Sequence, residues 1–288
     1  MSETPRGAIG RVLLVGTGYV GTVLARRLLD AGATVLGLRR SERALPAGVE
    51  AYRGDVISGE GLNSLPEVEQ LVYAVSPGER SASAYQDVYQ RGLLRVAERF
   101  PNARVLLVSS SAVYGSATAH PVSESTETEP DDETSRELAA GERALLALRP
   151  QSVVLRASGI YGPGRTSLLA RLARERLGDE EREQVTNRIH RDDLAACLEF
   201  FLRRRDLTGL FNATDSFPST WGEMQDWLLA RPVPAWLESA PARPSRERRR
   251  VGRALSNEKL LGTGFSLAYP SFREGYAAIL AQPAPTGG

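Results

Sequence analysis

The stretch RVLLVGTGYVGTVLARRLLDAGATVLGL, residues 11–38, constrains the fold more than any other part of the chain. Two short apolar runs, RVLLVG at 11–16 and TVLGL at 34–38, flank VGTVLARRLLDAG, whose apolar residues recur at helical spacing and which closes on Gly32. Runs this short, bounded by glycine, read as buried strands, and the unit has the ~30 residues of a strand-helix-strand crossover. Between the first strand and the helix lies Gly16-Thr17-Gly18-Tyr19-Val20-Gly21. Without side chains, Gly16 can make a tight turn, Gly18 lets a ligand approach the backbone, and Gly21 lets helix and strand pack closely. A helix N-terminus at this point offers unpaired N–H groups and a positive dipole end, the requirements of a phosphate cradle.

The alternation continues. Strands are expected at VEAYRGD, at VEQLVYAVS from Val68, at RVLLVSS from Arg104 and at SVVLRAS from Ser152, with helices across Tyr85 to Phe100 and Thr134 to Leu148. Buried strands alternating with helices imply a parallel, doubly wound α/β sheet. Beyond Gly159 the rhythm loosens: RTSLLARLARERL and IHRDDLAACLEFFLRR each read as one helix, GLFNATD as a strand, and a proline-bearing C-terminal part ends in a short helix around Ser271 to Ala281. No internal repeat is visible. The acidic segment ESTETEPDDET reads as a solvated loop.

Composition narrows the classes. A chain of 288 residues, 42% hydrophobic and 25% charged, suits one large soluble domain or one domain with a smaller appendage. With 36 basic against 35 acidic residues there is no global field to attract nucleic acid or an anionic membrane. MSETPRGAIG has no signal-peptide pattern, and no window approaches the ~20 apolar residues of a membrane span, so a cytoplasmic protein is expected. Cys197, the single cysteine, falls in the apolar run LAACLEFFL and reads as core; it excludes an internal disulfide or a cysteine-built metal site.

In a strand-turn-helix context, GTGYVG is a dinucleotide-binding signature. An NAD-specific site of this type places a carboxylate at the end of the second strand for the ribose hydroxyls. This chain has Leu38-Arg39-Arg40-Ser41 there, two guanidiniums that would attract a 2′-phosphate. NADP is therefore the expected cofactor, with NAD second.

Taken with VSSSAVYG at 108–115, LRASGIYGPGR at 155–165 and RIHRDDLA at 188–195, these motifs resemble the extended short-chain dehydrogenase/reductases, the NAD-dependent epimerase/dehydratase family. The resemblance implies a Rossmann-type sheet built from 1–156 and 184–213, with a small substrate-binding region from 157–183 and 214–288. It implies cofactor contacts from Gly16, Gly18, Tyr19, Val20 and Gly21, from Asp55 and Val56 of GDV, and from Ala74, Val75 and Ser76 after the fourth strand. Ser110 falls on the family's catalytic serine or threonine, and YGPGR would border the nicotinamide and substrate pocket. The implied partner is a small carbonyl or nucleotide-sugar substrate, with no nucleic acid and no membrane; a homodimer is an allowed assembly.

One departure is clear. The family reads tyrosine, three residues, lysine, then a glutamate four further on; registering TSRELAAGE on Glu142 puts Thr134 at the tyrosine and Leu138 at the lysine. Threonine is a far poorer acid than a phenol beside a cation, and leucine supplies no cation. Lys259 is the only lysine, so no displaced pair exists, and Arg136 keeps its proton. The chain thus resembles an atypical subgroup. The remaining proton-handling candidates are Ser110, Tyr161 and Tyr114. His190 reads as a helix cap or packing residue, Asp192 and Asp193 suit the positive end of that helix, and no His or Asp cluster has metal-ligand spacing. His120 carries no argument, and the arginine run 243–253 reads as a solvated loop that could hold an anionic substrate. Two readings follow: an NADP-dependent oxidoreductase or epimerase-like enzyme without the usual pair, which retention of Ser110 and YGPGR favours, or a non-catalytic NADP(H)-binding sensor or partner-binding protein.

Overall fold

Along the first strand the side chains alternate between two cores: Leu13 and Val15 join one apolar cluster, Val12 and Leu14 another on the opposite face. That two-sided burial is what an all-parallel sheet requires. The computed structural model describes residues 9–41, 44–115, 121–241 and 252–282. Its strands are β1 (Arg11–Val15), β2 (Thr34–Arg39), β3 (Glu50–Arg53), β4 (Gln70–Tyr73), β5 (Arg104–Ser110), β6 (Val153–Ala157), β7 (Gly159–Tyr161), β8 (Val185–Thr186), β9 (Arg188–His190), β10 (Gly209–Ala213) and β11 (Ser219–Thr220). Seven of them form one parallel sheet in the order β10-β6-β5-β4-β1-β2-β3. Two small sheets pair β7 with β9 and β8 with β11.

Helix α1 (Gly21–Asp30) lays Leu24 and Leu28 on one face of the sheet. On the other face, α2 (Ala82–Gln86) and α3 (Leu93–Arg99) are joined by a wide π turn over Asp87–Gly92, and α4 (Glu133–Leu148) packs beside them. Gly141 makes that packing close: a Cβ there would lie 2.1 Å from the Tyr89 carbonyl oxygen. Beyond β7 come α5 (Ser167–Arg174), α6 (Asp179–Arg182), α7 (Arg191–Arg203), α8 (Trp221–Leu229), α9 (Ala235–Ser239), α10 (Glu258–Leu261) and α11 (Phe272–Leu280). Helix α7 returns to the sheet beside α1 through Leu194, Leu198 and Phe201, while α5, α8 and α11 bury Leu169, Met224, Phe272 and Tyr276 in a third cluster of their own. Among the described residues no helix is long and apolar enough to cross a membrane.

Several expectations shift. Helix α5 stops at Arg174 instead of running to Leu177, because Gln225 of α8 donates from Nε2 to the carbonyls of Leu172 (2.9 Å) and Glu175 (2.6 Å), closing the helix end and freeing Leu177 to turn into the third cluster. Helix α7 begins at Arg191, not Ile189, since Ile189 and His190 are spent on pairing with β7. Helix α8 was not foreseen, although Thr220 and Glu223 form a reciprocal capping box whose spacing is visible in the sequence. The acidic segment is anchored and not simply solvated: Glu124 accepts from the Asn212 amide of β10 at 2.6 Å, and Asp132 caps α4.

Candidate functional site

The chain runs β1, β2, β3 outward in one direction and then crosses to β4 on the other side of β1. Such a reversal leaves a crevice at the carboxyl ends of the strands. A cavity of about 620 Å³ opens there, lined by the ends of β1 and β2, by Gly54 to Ile57 after β3, by Val75 after β4, by Thr22 and Arg26 of α1, by Val88 and by Arg191. The three glycines of GTGYVG have different geometric roles. Gly16 sits at φ +97° with a would-be Cβ 2.6 Å from the Ala74 carbonyl oxygen, so neither its conformation nor its contact admits a side chain. A Cβ on Gly21 would lie 2.3 Å from the Gly16 oxygen, whereas a Cβ on Gly18 would meet nothing within 4 Å beyond its chain neighbours. Gly18 is the glycine whose missing side chain leaves space. Helix α1 has no side-chain cap and no carboxylate in its first turn, so its N-terminal end is available to an anion.

Of the residues expected to hold a cofactor, Gly16, Gly18, Tyr19, Arg39, Arg40, Asp55, Val56 and Val75 line this cavity. Val20 and Gly21 pack behind the turn, Ala74 is tied by its amide to Val15 (2.8 Å), and Ser76 is exposed beyond the rim. Asp55 holds its own turn, accepting from the Ile57 amide at 2.7 Å, with Arg40 3.9 Å from its other oxygen. Arg39 differs: its Nη1 is buried and has no hydrogen-bond partner among the described residues. A buried guanidinium nitrogen left unmatched is costly, and an anion in the cavity would remove that cost. Sequence reasoning missed Arg26 and Arg191. Arg26 was available from helical spacing, four residues after Thr22 on the same face of α1.

Tyr19 joins the cradle to the opposite wall. Its hydroxyl donates to the Pro163 carbonyl at 3.0 Å, and the Arg165 and Arg191 guanidiniums lie 3.9 and 4.9 Å from its ring centroid. Burial pushes its phenol up to about 12, outweighing the lowering effect of Arg191 and Arg165. Gly162 permits the approach: a Cβ there would lie 2.9 Å from the Tyr19 hydroxyl.

At the carboxyl end of β5, Ser110 is half-buried, its oxygen accepting from the Ala112 amide at 3.2 Å. Its neighbour Ser109 donates to Glu142, which also holds Arg156 by a buried two-pronged ion pair (Nη2 to Oε2, 2.7 Å). The Arg156 guanidinium stacks over Tyr114 at 4.7 Å. Tyr114 is fully buried and donates to Asn212 Oδ1 at 2.8 Å; Tyr161 is buried in the third cluster and donates to the Ser271 carbonyl at 3.3 Å. Burial raises both phenols above their ordinary value. None of Ser110, Tyr114 and Tyr161 lines the cavity, and both tyrosine hydroxyls serve the packing of their own cores.

Helix α4 carries the altered segment. The Thr134 hydroxyl donates to Asp132 at 2.7 Å; burial opposes ionisation of that carboxyl, but the Thr134 hydroxyl and Ser135 amide hold it well below the usual range. Leu138 is buried in the core. Lys259 donates to the Leu210 carbonyl at 2.7 Å and lies over Phe211, so it braces β10. His190 caps α7, its Nδ1 accepting from the Asp192 amide at 3.2 Å, and burial depresses its pKa to about 4, which keeps the ring neutral as an acceptor. Asp193 accepts from the amides of Ala268 and Tyr269 at 2.8 and 2.9 Å, pinning the C-terminal segment to α7. His120 and residues 243–251 of the arginine run lie outside the described residues; Arg253, its last member, donates to the Ser111 carbonyl at 2.6 Å.

A doubly wound sheet with a glycine cradle at its reversal point defines a nucleotide-binding α/β protein of the Rossmann kind. The chain belongs to the NAD dependent epimerase/dehydratase family, which matches residues 12–212. Its fold is shared along nearly its whole length by an epimerase/dehydratase-family protein of Methylobacillus flagellatus, 35% identical, TM-score 0.78, covering 95% of this chain and 98% of that one. The Bordetella bronchiseptica enzyme WbmG, solved in complex with NAD, has the same fold at 21% identity and TM-score 0.78, covering 96% of this chain and 95% of its own. Among curated proteins, the dTDP-4-dehydrorhamnose reductase of Mycolicibacterium smegmatis is 29% identical over 187 residues, 62% of this chain. The matched segment spans only 55% of that relative's length.

Proposed function

We propose that this protein is an NADP(H)-dependent oxidoreductase or epimerase-like enzyme acting on a small carbonyl or nucleotide-sugar compound. The observation that carries the reading is the charge of the cavity: among the described residues its lining holds Arg26, Arg39, Arg40 and Arg191 against the single carboxylate of Asp55. Such a lining favours a ligand with more negative charge than a pyrophosphate alone, and the buried, unmatched Nη1 of Arg39 at the end of β2 fits a ribose 2′-phosphate. The cradle at Gly18 and the N-terminal end of α1 fit the pyrophosphate.

When bound, the nicotinamide supplies or accepts the hydride. The chain's own part is to orient the reactants and manage the proton. With the hydroxyls of Tyr114, Tyr161 and Thr134 engaged internally, Ser110 is the candidate whose proton remains available, because its amide contact uses only a lone pair. It can donate to a substrate oxygen, with water completing the transfer. The reductase and epimerase-family relatives, and the NAD held by WbmG, support this class of chemistry.

A second reading, a non-catalytic NADP(H) sensor, is favoured by α4, where Leu138 is core and Thr134 is a capping partner, so that neither is poised for proton transfer. Calorimetry with NADPH and NADH, followed by NADPH-oxidation assays over a panel of carbonyl and nucleotide-sugar substrates, separates the two. Tight, NADPH-selective binding with Ser110-dependent turnover is the expected result. Equal affinity for both nucleotides would remove the NADP assignment, and binding without turnover across the panel would establish the sensor.

A further inference from the structure

We infer that Arg191 is a pyrophosphate ligand, contributed by α7 from the wall facing the glycine cradle, so that the phosphates are held from two sides. This rests on the nucleotide reading of the cavity and adds a residue to it. Arg191 is the first residue of α7 and lines the cavity although it is far in sequence from every other lining residue. Its position within the cavity follows from its contacts. The guanidinium lies 4.9 Å from the ring of Tyr19, the residue directly after Gly18, and Nη1 is 3.5 Å from the same Pro163 carbonyl that Tyr19 bonds. It therefore stands at the cradle end of the cavity, where the open space around Gly18 is, and apart from Arg39 and Arg40 at the end of β2.

Its bonding leaves it able to act. Nε is paired with Asp192 at 2.9 Å, which fixes the plane of the guanidinium. The Nη1 contact to Pro163 is at the long limit for a hydrogen bond and is easily exchanged for a phosphate oxygen. Guanidinium offers several donors in a fixed fork, so one edge can stay on Asp192 while another meets the anion. Gly162 is needed for this arrangement, since a Cβ there would lie 3.1 Å from Arg191 Cβ. Arg191 thus links the YGPGR wall to phosphate binding.

The test uses the full chain, four probes and two substitutions, read by calorimetry or ligand competition. NADPH, NADH and ADP-ribose share a pyrophosphate; 2′-AMP has the adenosine and 2′-phosphate without it. Arg191→Gln is expected to weaken the first three by about tenfold or more, by a similar factor for each, and to leave 2′-AMP unchanged. Asp192→Asn removes the carboxylate competing for Arg191 and is expected to strengthen the same three several-fold. If Arg191 only propped Tyr19 or α7, loosening it would weaken binding, so a loss in Asp192→Asn overturns the inference. Wild-type NADPH affinity in Arg191→Gln, or an equal loss for 2′-AMP, overturns it too while leaving the nucleotide reading in place. Failure of the wild-type protein to bind any of the four would bring down the nucleotide reading itself, and the clamp with it.

Discussion

The cradle at the ends of β1 and β2 and the wall formed by β5, β6 and α4 differ in how far their polar groups are engaged inside the protein. At the cradle there is room for a side chain on Gly18, α1 has no side-chain cap, and Arg39 Nη1 is buried with no hydrogen-bond partner among the described residues. At the wall most polar groups are engaged inside the protein, Thr134 with Asp132, Tyr114 with Asn212, and Glu142 with Arg156 and Ser109, although Arg156 Nη1 is buried with no hydrogen-bond partner among the described residues. Buried polar groups are normally satisfied, and of the residues that leave one unsatisfied Arg39 is the one that lines the cavity, which makes its Nη1 the one placed to meet a ligand there. The cradle has the geometry of an anion site, whereas on α4 Thr134 bonds the capping Asp132 and Leu138 packs in the core.

The sharpest way to break this comparison is Gly18→Val. A side chain in the open space should abolish nucleotide binding with the fold intact, seen as loss of ligand-induced thermal stabilisation at an unchanged ligand-free melting temperature. A variant stabilised by NADPH as strongly as the wild type would mean that the turn is not the binding loop. At the wall the largest effect should be on stability: Glu142→Ala leaves Arg156 buried and unpaired and should cost about 3–5 kcal/mol in denaturant unfolding. If affinity fell while stability held, Glu142 would belong to the site and not to its support.

The neutral cap of α7 should show in the pH dependence. The folded His190 pKa, near 4, is below the ordinary histidine value of 6.5, so the unfolded chain takes up a proton that the folded one refuses. Its contribution is present above pH 6.5 and is lost as pH falls toward 4. His190→Asn keeps a capping side chain without a titrating ring, and should flatten this part of the profile relative to wild type. An identical pH profile in the variant would show that His190 does not titrate in this way.

Smaller effects sharpen the two ends. Removing Arg39 and Arg40 together should cut NADPH affinity by about tenfold or more and leave NADH nearly unchanged, measured by calorimetry. A variant that retained the preference would place the 2′-phosphate elsewhere. Thr134→Ala should change little, about 1 kcal/mol of stability from the lost bond to Asp132, with no change in turnover. A collapse of turnover with stability intact would show that Thr134 takes part in the reaction.

Local pattern was enough for the sheet and for the glycine turn between β1 and α1. The strands were legible because burial on both faces leaves short apolar runs, and the turn because glycine is the residue for its backbone. Helix ends that depend on a distant side chain were not legible: Gln225 stops α5 from 50 residues away in sequence at its Glu175 contact, and no local window contains it. The fates of Tyr114 and Tyr161 were equally hidden, since their hydroxyls turn to Asn212 and to the Ser271 carbonyl, both far along the chain. Arg191 enters the cavity only because β9 and the start of α7 fold back against Tyr19. The sequence by itself determined which backbone and which chemistry each segment could offer; only the tertiary structure decided which polar groups meet each other and which are left facing open space, because a hydrogen bond is settled by proximity between residues that the chain order keeps apart.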